Sequence, residues 1–251
     1  MGKHRILILG GTTEARQLAE RLALRGDIEA TISLAGRTMD PKPLPLPTRA
    51  GGFGGVNGLV GYLANEKIDL LIDATHPFAN QISANAAEAA QRSGTPIFAL
   101  CRPGWERKEG DRWISVADIA SAVEALGSAP RRVFLAIGRQ EAGQFSAAPQ
   151  HAYLVRSVDP VVPPLDVPNC RYILASGPFD EDDETRLLRE NNIDVVVSKN
   201  SGGAATYAKI GAARALGIEV VVIERRKPAG VRTVGTVAAA LELVDQMLPP
   251  A

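Results

Sequence analysis

The stretch Gly10-Gly11-Thr12-Thr13-Glu14-Ala15 carries the plainest chemistry in the chain. It follows the apolar run Ile6-Leu7-Ile8-Leu9 and leads into a helical pattern at Leu18, Leu22 and Leu24. A strand, a glycine turn and a helix start in that order present unpaired backbone N–H groups and a partial positive charge, a site suited to phosphate. Laid on the dinucleotide fingerprint G-x-G-x-x-G/A, the three key positions fall on Gly10, Thr12 and Ala15, so Thr replaces the second glycine. Thr12 and Thr13 offer hydroxyls to a pyrophosphate, but with less close backbone approach. The same two residues also read as ordinary helix caps, and both readings stand.

A second set of residues bears on which dinucleotide would bind. In an NAD site an acidic residue about 20 positions beyond the glycine turn accepts the ribose 2′-OH. Here that region reads Gly36-Arg37-Thr38, with no acid before Asp40. Arg37 would attract a 2′-phosphate and can pair with it in fork geometry. A charged hydrogen bond of about 1.5–3 kcal/mol corresponds to roughly one to two decades of preference for NADP. The alternative is a solvated surface charge. Thr75 and His76 lie at a strand-to-helix turn before Pro77; they suit either a ligand contact or a helix cap. In the second half, Lys199-Asn200-Ser201-Gly202-Gly203 combines a cation with successive N–H groups that can form an anion-binding nest. With Arg139 it would suit a substrate bearing carboxylates, unless it is simply a glycine-rich loop.

These groups need elements to hold them. Strand-like runs at Arg5–Leu9, Ala30–Leu34, Ile68–Asp73, Pro96–Leu100, Arg132–Ile137, Ala152–Arg156, Tyr172–Ala175, Ile193–Val197 and Val220–Ile223 alternate with helical ones. The helices are expected near Gly58–Lys67, from Pro77 to about Gln91, and over Val116–Leu126, Glu141–Phe145, Asp180–Glu190, Ala204–Leu216 and Val237–Met247. Four prolines between Pro41 and Pro47 mark a loop. Strands this apolar are buried on both faces, which predicts parallel sheets covered by helices. The expected fold class is α/β, with two three-layer domains, mainly parallel sheets and a cleft between the halves. The expected domains are residues 1–140 and 141–251, with the final strand and helix free to belong to either. The candidate groups gather at the carboxyl ends of the strands, where open α/β sheets bind ligands.

Composition narrows the function classes. Lys plus Arg and Asp plus Glu number 28 each, so no global basic field favours nucleic acid, and no basic amphipathic helix favours a membrane surface. Cys101 and Cys170 have no zinc-type spacing, and neither His4 nor His151 has ligand partners nearby in sequence. No metal is expected. Lys3-His4 leads directly into a strand, and no run approaches the roughly 20 apolar residues of a membrane helix. A cytoplasmic location is the expectation.

Four segments together resemble the precorrin-6A reductases of cobalamin biosynthesis: ILILGGTTEA (residues 6–15), LAGRT (34–38), DATHPFA (73–79) and SKNSGG (198–203). The resemblance runs over essentially the whole chain. It implies two Rossmann-like domains and an NADPH-dependent reduction of one ring double bond of precorrin-6A, or its cobalt form, to precorrin-6B. It further implies that Gly10, Gly11, Thr12, Thr13, Glu14 and Ala15 hold the pyrophosphate side, and Gly36, Arg37 and Thr38 the 2′-phosphate. Thr75 and His76 would lie near the nicotinamide, and Arg139, Ser198, Lys199, Asn200, Ser201 and Gly202 would face the tetrapyrrole. Lys199 or a water is then the candidate proton donor. A non-catalytic NADP sensor and a reductase of a small carbonyl compound are the rival readings. A Tyr-x-x-x-Lys dyad, which would favour the latter, is missing, since Tyr207 and Lys209 are only two apart. Oligomeric state is not legible.

Overall fold

The computed structural model describes residues 2–36, 43–225 and 230–248. The chain begins with β1 (His4–Leu9), α1 (Thr13–Leu22), β2 (Ile28–Leu34), β3 (Thr48–Ala50), α2 (Gly55–Asn65), β4 (Leu70–Asp73), α3 (Asn80–Ser93) and β5 (Ile97–Leu100). It continues with β6 (Arg112–Val116), α4 (Ile119–Ala125), β7 (Arg132–Ala136), α5 (Arg139–Ala142), β8 (Ala152–Ser157) and β9 (Cys170–Leu174). Then come α6 (Glu181–Glu190), β10 (Val195–Lys199), α7 (Ala208–Ala215) and β11 (Glu219–Ile223), and last β12 (Thr233–Val234) and α8 (Val237–Met247).

Two compact units result, one of Met1–Pro103 with Arg226–Ala251, the other of Gly104–Arg225. The first holds a six-stranded sheet in the order β3-β2-β1-β4-β5-β12, every pair parallel. The second repeats this order as β9-β8-β7-β10-β11-β6, again parallel throughout. Each is the doubly wound 3-2-1-4-5-6 arrangement of Rossmann-like domains. In the first unit the sixth place is filled by β12, near the chain's end; in the second, by β6, which precedes every other strand of its sheet.

Side-chain alternation explains the layers. In β1, Ile6 and Ile8 pack with Leu18 and Leu22 of α1 and with Leu243 and Val244 of α8. Leu7 and Leu9 face the other way, against Leu59 and Leu63 of α2 and Ala86 and Ala89 of α3. A strand with apolar residues on both faces needs helices on both sides, and successive residues serve opposite layers. The second unit is built alike, with Phe134, Val196 and Val222 against Leu188 of α6 and Ile210 of α7.

The expected division near residue 140 is corrected. It would detach β7 from β8 and β10, yet Val133 pairs with both Tyr153 and Val195. The open question about the last strand and helix has a divided answer: the strand read at Val220–Ile223 is β11 of the second unit, whereas α8 returns to the first, together with β12. Three strands escaped the sequence reading. β12 and β3 span two and three residues, too short for a periodic signal, and β6 is an edge strand whose side chains are mostly exposed. The helix expected over Val116–Leu126 accordingly begins only at Ile119, behind an Asp118 cap. Among the described residues no helix is long and apolar enough to cross a membrane.

Candidate functional site

In a 3-2-1-4-5-6 sheet the strand order reverses between positions 1 and 4, and the crevice beyond that point receives ligands. In the first unit it lies beyond β1 and β4, where Gly10–Thr13 and Asp73–His76 meet. Gly10 donates its N–H to Ser33 O at 2.9 Å. A Cβ on Gly10 would come within 2.7 Å of Ile32 Cδ1, so any larger residue here would have to displace the Ile32 side chain. Gly11 has φ +121°, and a Cβ on it would meet nothing within 4 Å. The turn opens onto free space.

Thr12 is the α1 cap. Its Oγ1 accepts from Ala15 N at 3.0 Å and donates to Ala74 O at 2.9 Å. The hydroxyl proton expected for a pyrophosphate is therefore directed at Ala74, and Thr12 staples the two halves of the crevice together. The first helical N–H groups, at Thr13 and Glu14, lie outside the intrahelical ladder. Glu14 Oε2 lies 2.6 Å from Arg102 Nη1, both side chains largely buried. Arg102, beyond β5, thereby neutralises an acid that would otherwise repel phosphate at the turn.

Beyond β4, Asp73 is buried and its Oδ1 accepts from Thr75 N at 3.1 Å and Thr75 Oγ1 at 2.7 Å. His76 Nδ1 accepts from Phe78 N at 3.3 Å, which in a neutral ring leaves the proton on Nε2. Neither residue caps α3, contrary to expectation. The helix starts later, at Asn80, behind Ala79, because residues 75–78 form their own turn around Asp73 and His76.

Arg37 and Thr38 lie outside the described residues. Their neighbour Gly36 has φ +69°, and a Cβ on it would stand 3.6 Å from Gly51 N. Behind this contact is Arg49, which sequence reasoning missed. Its guanidinium donates to Ser33 Oγ and Gly51 O, each at 2.9 Å, and to Gly52 O at 3.0 Å. It also stacks 3.9 Å over the Phe53 ring. A cation among glycines before an aromatic was the available signal.

The crevice of the second unit lies beyond β7 and β10. Lys199, the last residue of β10, places Nζ 2.6 Å from Oε1 of Glu141, which follows β7. Arg139 Nη1 lies 3.6 Å from Asp159 Oδ2. Glu141 and Asp159 are thus partners that sequence spacing did not reveal. Ser198 is a buried β10 residue whose Oγ donates to Lys199 O at 3.2 Å, so it belongs to the strand and not to the loop expected there.

The loop after β10 is held by its carbonyls. Arg225 Nη2 donates to Asn200 O at 2.9 Å and Trp105 Nε1 to Gly203 O at 2.7 Å. Tyr207 N donates to Ala204 O and Phe179 N to Ala205 O, each at 3.1 Å. Asn200 is locked as well, its Oδ1 accepting from Trp105 N at 2.7 Å and its Nδ2 donating to Glu224 Oε2 at 3.1 Å. The N–H groups of Gly202, Gly203 and Ala204 have no acceptor among the described residues. Gly202 and Gly203 stand at φ +66° and +76°. Ser201 N is engaged with Lys199 O at 2.7 Å, so the donor run begins one residue later than expected. A backbone with engaged carbonyls and spare donors is an anion receptor.

Two doubly wound parallel sheets, each with an anion-suited turn at its switch point, define a two-unit Rossmann-like α/β protein. Comparison with known proteins then supplies the family. The family model described as precorrin-6x reductase CbiJ/CobK matches residues 5–245. The chain is 61% identical over 251 residues to a precorrin-6A reductase of Sinorhizobium sp, covering 100% of this chain and 96% of that one. It is 55% identical over 221 residues to a precorrin-6A reductase of Rhodobacter capsulatus, 88% of each chain being covered. A solved structure described as CobK precorrin-6A reductase matches with a TM-score of 0.92 at 50% identity, over 98% of this chain and 97% of that one. This chain belongs to the precorrin-6x reductase family.

Proposed function

We propose that this protein is a precorrin-6A reductase of cobalamin biosynthesis that uses NADPH to reduce one ring double bond, giving precorrin-6B. The observation that carries the reading is the β1–α1 turn, with Gly11 at φ +121° over open space at the switch point of the first sheet. That geometry fits a pyrophosphate, which needs backbone donors and no intruding Cβ. The N–H groups of Thr13 and Glu14 would hold it, with Thr12 fixing the helix start and Arg102 masking the Glu14 charge. Arg37, with Gly36 and Thr38, would take the 2′-phosphate, and Thr75 and His76 the nicotinamide end.

NADPH supplies a hydride when bound. The chain's own tasks are to orient the flat substrate, shelter the reacting bond and provide the accompanying proton. Lys199 Nζ, held by Glu141, is the proton source in this reading. The substrate's acetate and propionate arms would meet Arg139 and the Gly202–Ala204 donors, with Ser198, Asn200 and Ser201 shaping that loop.

Mixing the protein with NADPH and precorrin-6A while following the absorbance of both tests the reading. Loss of NADPH absorbance in step with the tetrapyrrole change is expected. Tight dinucleotide binding without turnover would favour a sensor instead.

A further inference from the structure

A lysine without a role so far lies beneath the loop after β10. Lys209, in the first turn of α7, is only 3% exposed. Its Nζ donates to Thr206 O at 2.5 Å and sits 4.8 Å from the centroid of the Trp105 ring. Two charged groups face it from other elements, Arg156 of β8 and Glu184 of α6. Glu181, also of α6, lies against Gly211 further along α7. The Glu184 carboxylate is already bidentate with Arg156, whose Nη2 stands 2.8 Å from Oε2. Arg156 is itself stacked 3.7 Å from the Phe179 ring. With Lys209 protonated, two buried cations share one carboxylate.

Such an arrangement is costly. Burial, and then the nearby Arg156, lower the Lys209 pKa to about 7 against the pull of Glu184. For stability alone, an apolar side chain of similar volume would serve better. Its location offers a reason for retaining it. Thr206 O, which Lys209 holds, closes the same loop whose Asn200 and Gly203 carbonyls are tied by Arg225 and Trp105. Ser201 Oγ also lies 3.4 Å from Thr206 Oγ1, linking the two ends of that loop.

We propose that Lys209 is a positioning residue for the substrate, keeping the Ser201–Thr206 loop in its donor-rich form and placing a positive charge beneath it to favour a carboxylate arm. This rests on the reading that the loop faces precorrin-6A. Lys209 is not placed among the catalytic groups.

Steady-state kinetics of the wild type, Lys209→Met and Lys209→Gln with NADPH and precorrin-6A, from about pH 6 to about pH 9, test it. In both variants the KM for precorrin-6A should rise at least about tenfold at the acid end. The KM for NADPH and kcat should hold within about twofold. Wild-type KM for precorrin-6A should climb as pH passes about 7, and the variants should not follow. Unchanged KM in the variants, or the wild-type pH dependence retained in them, would overturn the proposal. If the variants fail to fold, the wild-type profile decides, and a flat KM across that range overturns it. Wild-type protein that leaves precorrin-6A unreduced would instead remove the reading itself, and the proposal with it.

Discussion

Lys199 Nζ and Glu141 Oε1 stand 2.6 Å apart, joining the end of β10 to the first helical turn beyond β7. These strands are neighbours across the point where the second sheet reverses its order. The pair therefore bridges the crevice in which this fold receives ligands. The ammonium is held on one side by a carboxylate, and the Lys199 side chain is only 13% exposed. A group fixed in this way can present its proton in one direction, which free lysines on long stems do not.

Lys199→Ala should accordingly lower turnover of precorrin-6A by about 10²-fold, the usual scale of a general acid. NADPH affinity, measured by fluorescence titration, should hold. Glu141→Gln keeps the shape and an acceptor for the ammonium but removes the opposing charge, and should cost turnover about tenfold. Full activity in Lys199→Ala would remove Lys199 from the chemistry.

Arg37→Ala is expected to weaken NADPH binding by at least about tenfold and to spare NADH, since only the former carries a 2′-phosphate. Paired titrations with both cofactors check this. Equal losses would assign Arg37 to something other than that phosphate.

Thr12→Val removes a hydroxyl that both caps α1 and donates to Ala74 O. Loss of the cap alone costs roughly 0.5–2 kcal/mol. The thermal midpoint should fall by about 2–4 °C for each kcal/mol lost. Thr12→Ser, which keeps the oxygen, should restore most of it in a scanning calorimeter.

Lys209 carries a pH prediction for stability. Its pKa is lowered from 10.5 to about 7 in the folded protein. Between those values the unfolded chain binds the extra proton, so this group makes stability rise with pH, by up to about 1.4 kcal/mol per pH unit. That contribution is fully present above 10.5 and lost as pH falls to about 7. Lys209→Met should abolish the slope and raise the midpoint near neutral pH, despite losing the bond to Thr206 O. Urea melts of both proteins at several pH values measure it. A variant less stable than wild type at neutral pH would show that the ammonium is a net structural asset.

Much of the site was legible because its residues sit close together in sequence. Gly10–Ala15 read as a turn between strand and helix because the apolar run stops at Leu9 and helical spacing begins at Leu18. What was not legible was the partner of each charge. Glu14 with Arg102, Lys199 with Glu141 and Lys209 with Arg156 and Glu184 are all brought together by chain reversal. Thr12 shows the same division: its type foretold a cap or a ligand contact, and the nearness of Ala74 directed its proton.

Near-continuous apolar runs in β1, β7 and β10 were enough by themselves to specify parallel strands buried between helices, since both faces of such a strand must be hidden from water. The chain's local order also marked where its anion-suited turns fall. Only the tertiary structure decided which strand completes each sheet. β12 and β6 are too short or too exposed to declare themselves, and their places depend on backbone donors and acceptors left open along β5 and β11. Edge pairing of that kind is a property of assembled sheets, and a local pattern of side chains carries no record of it.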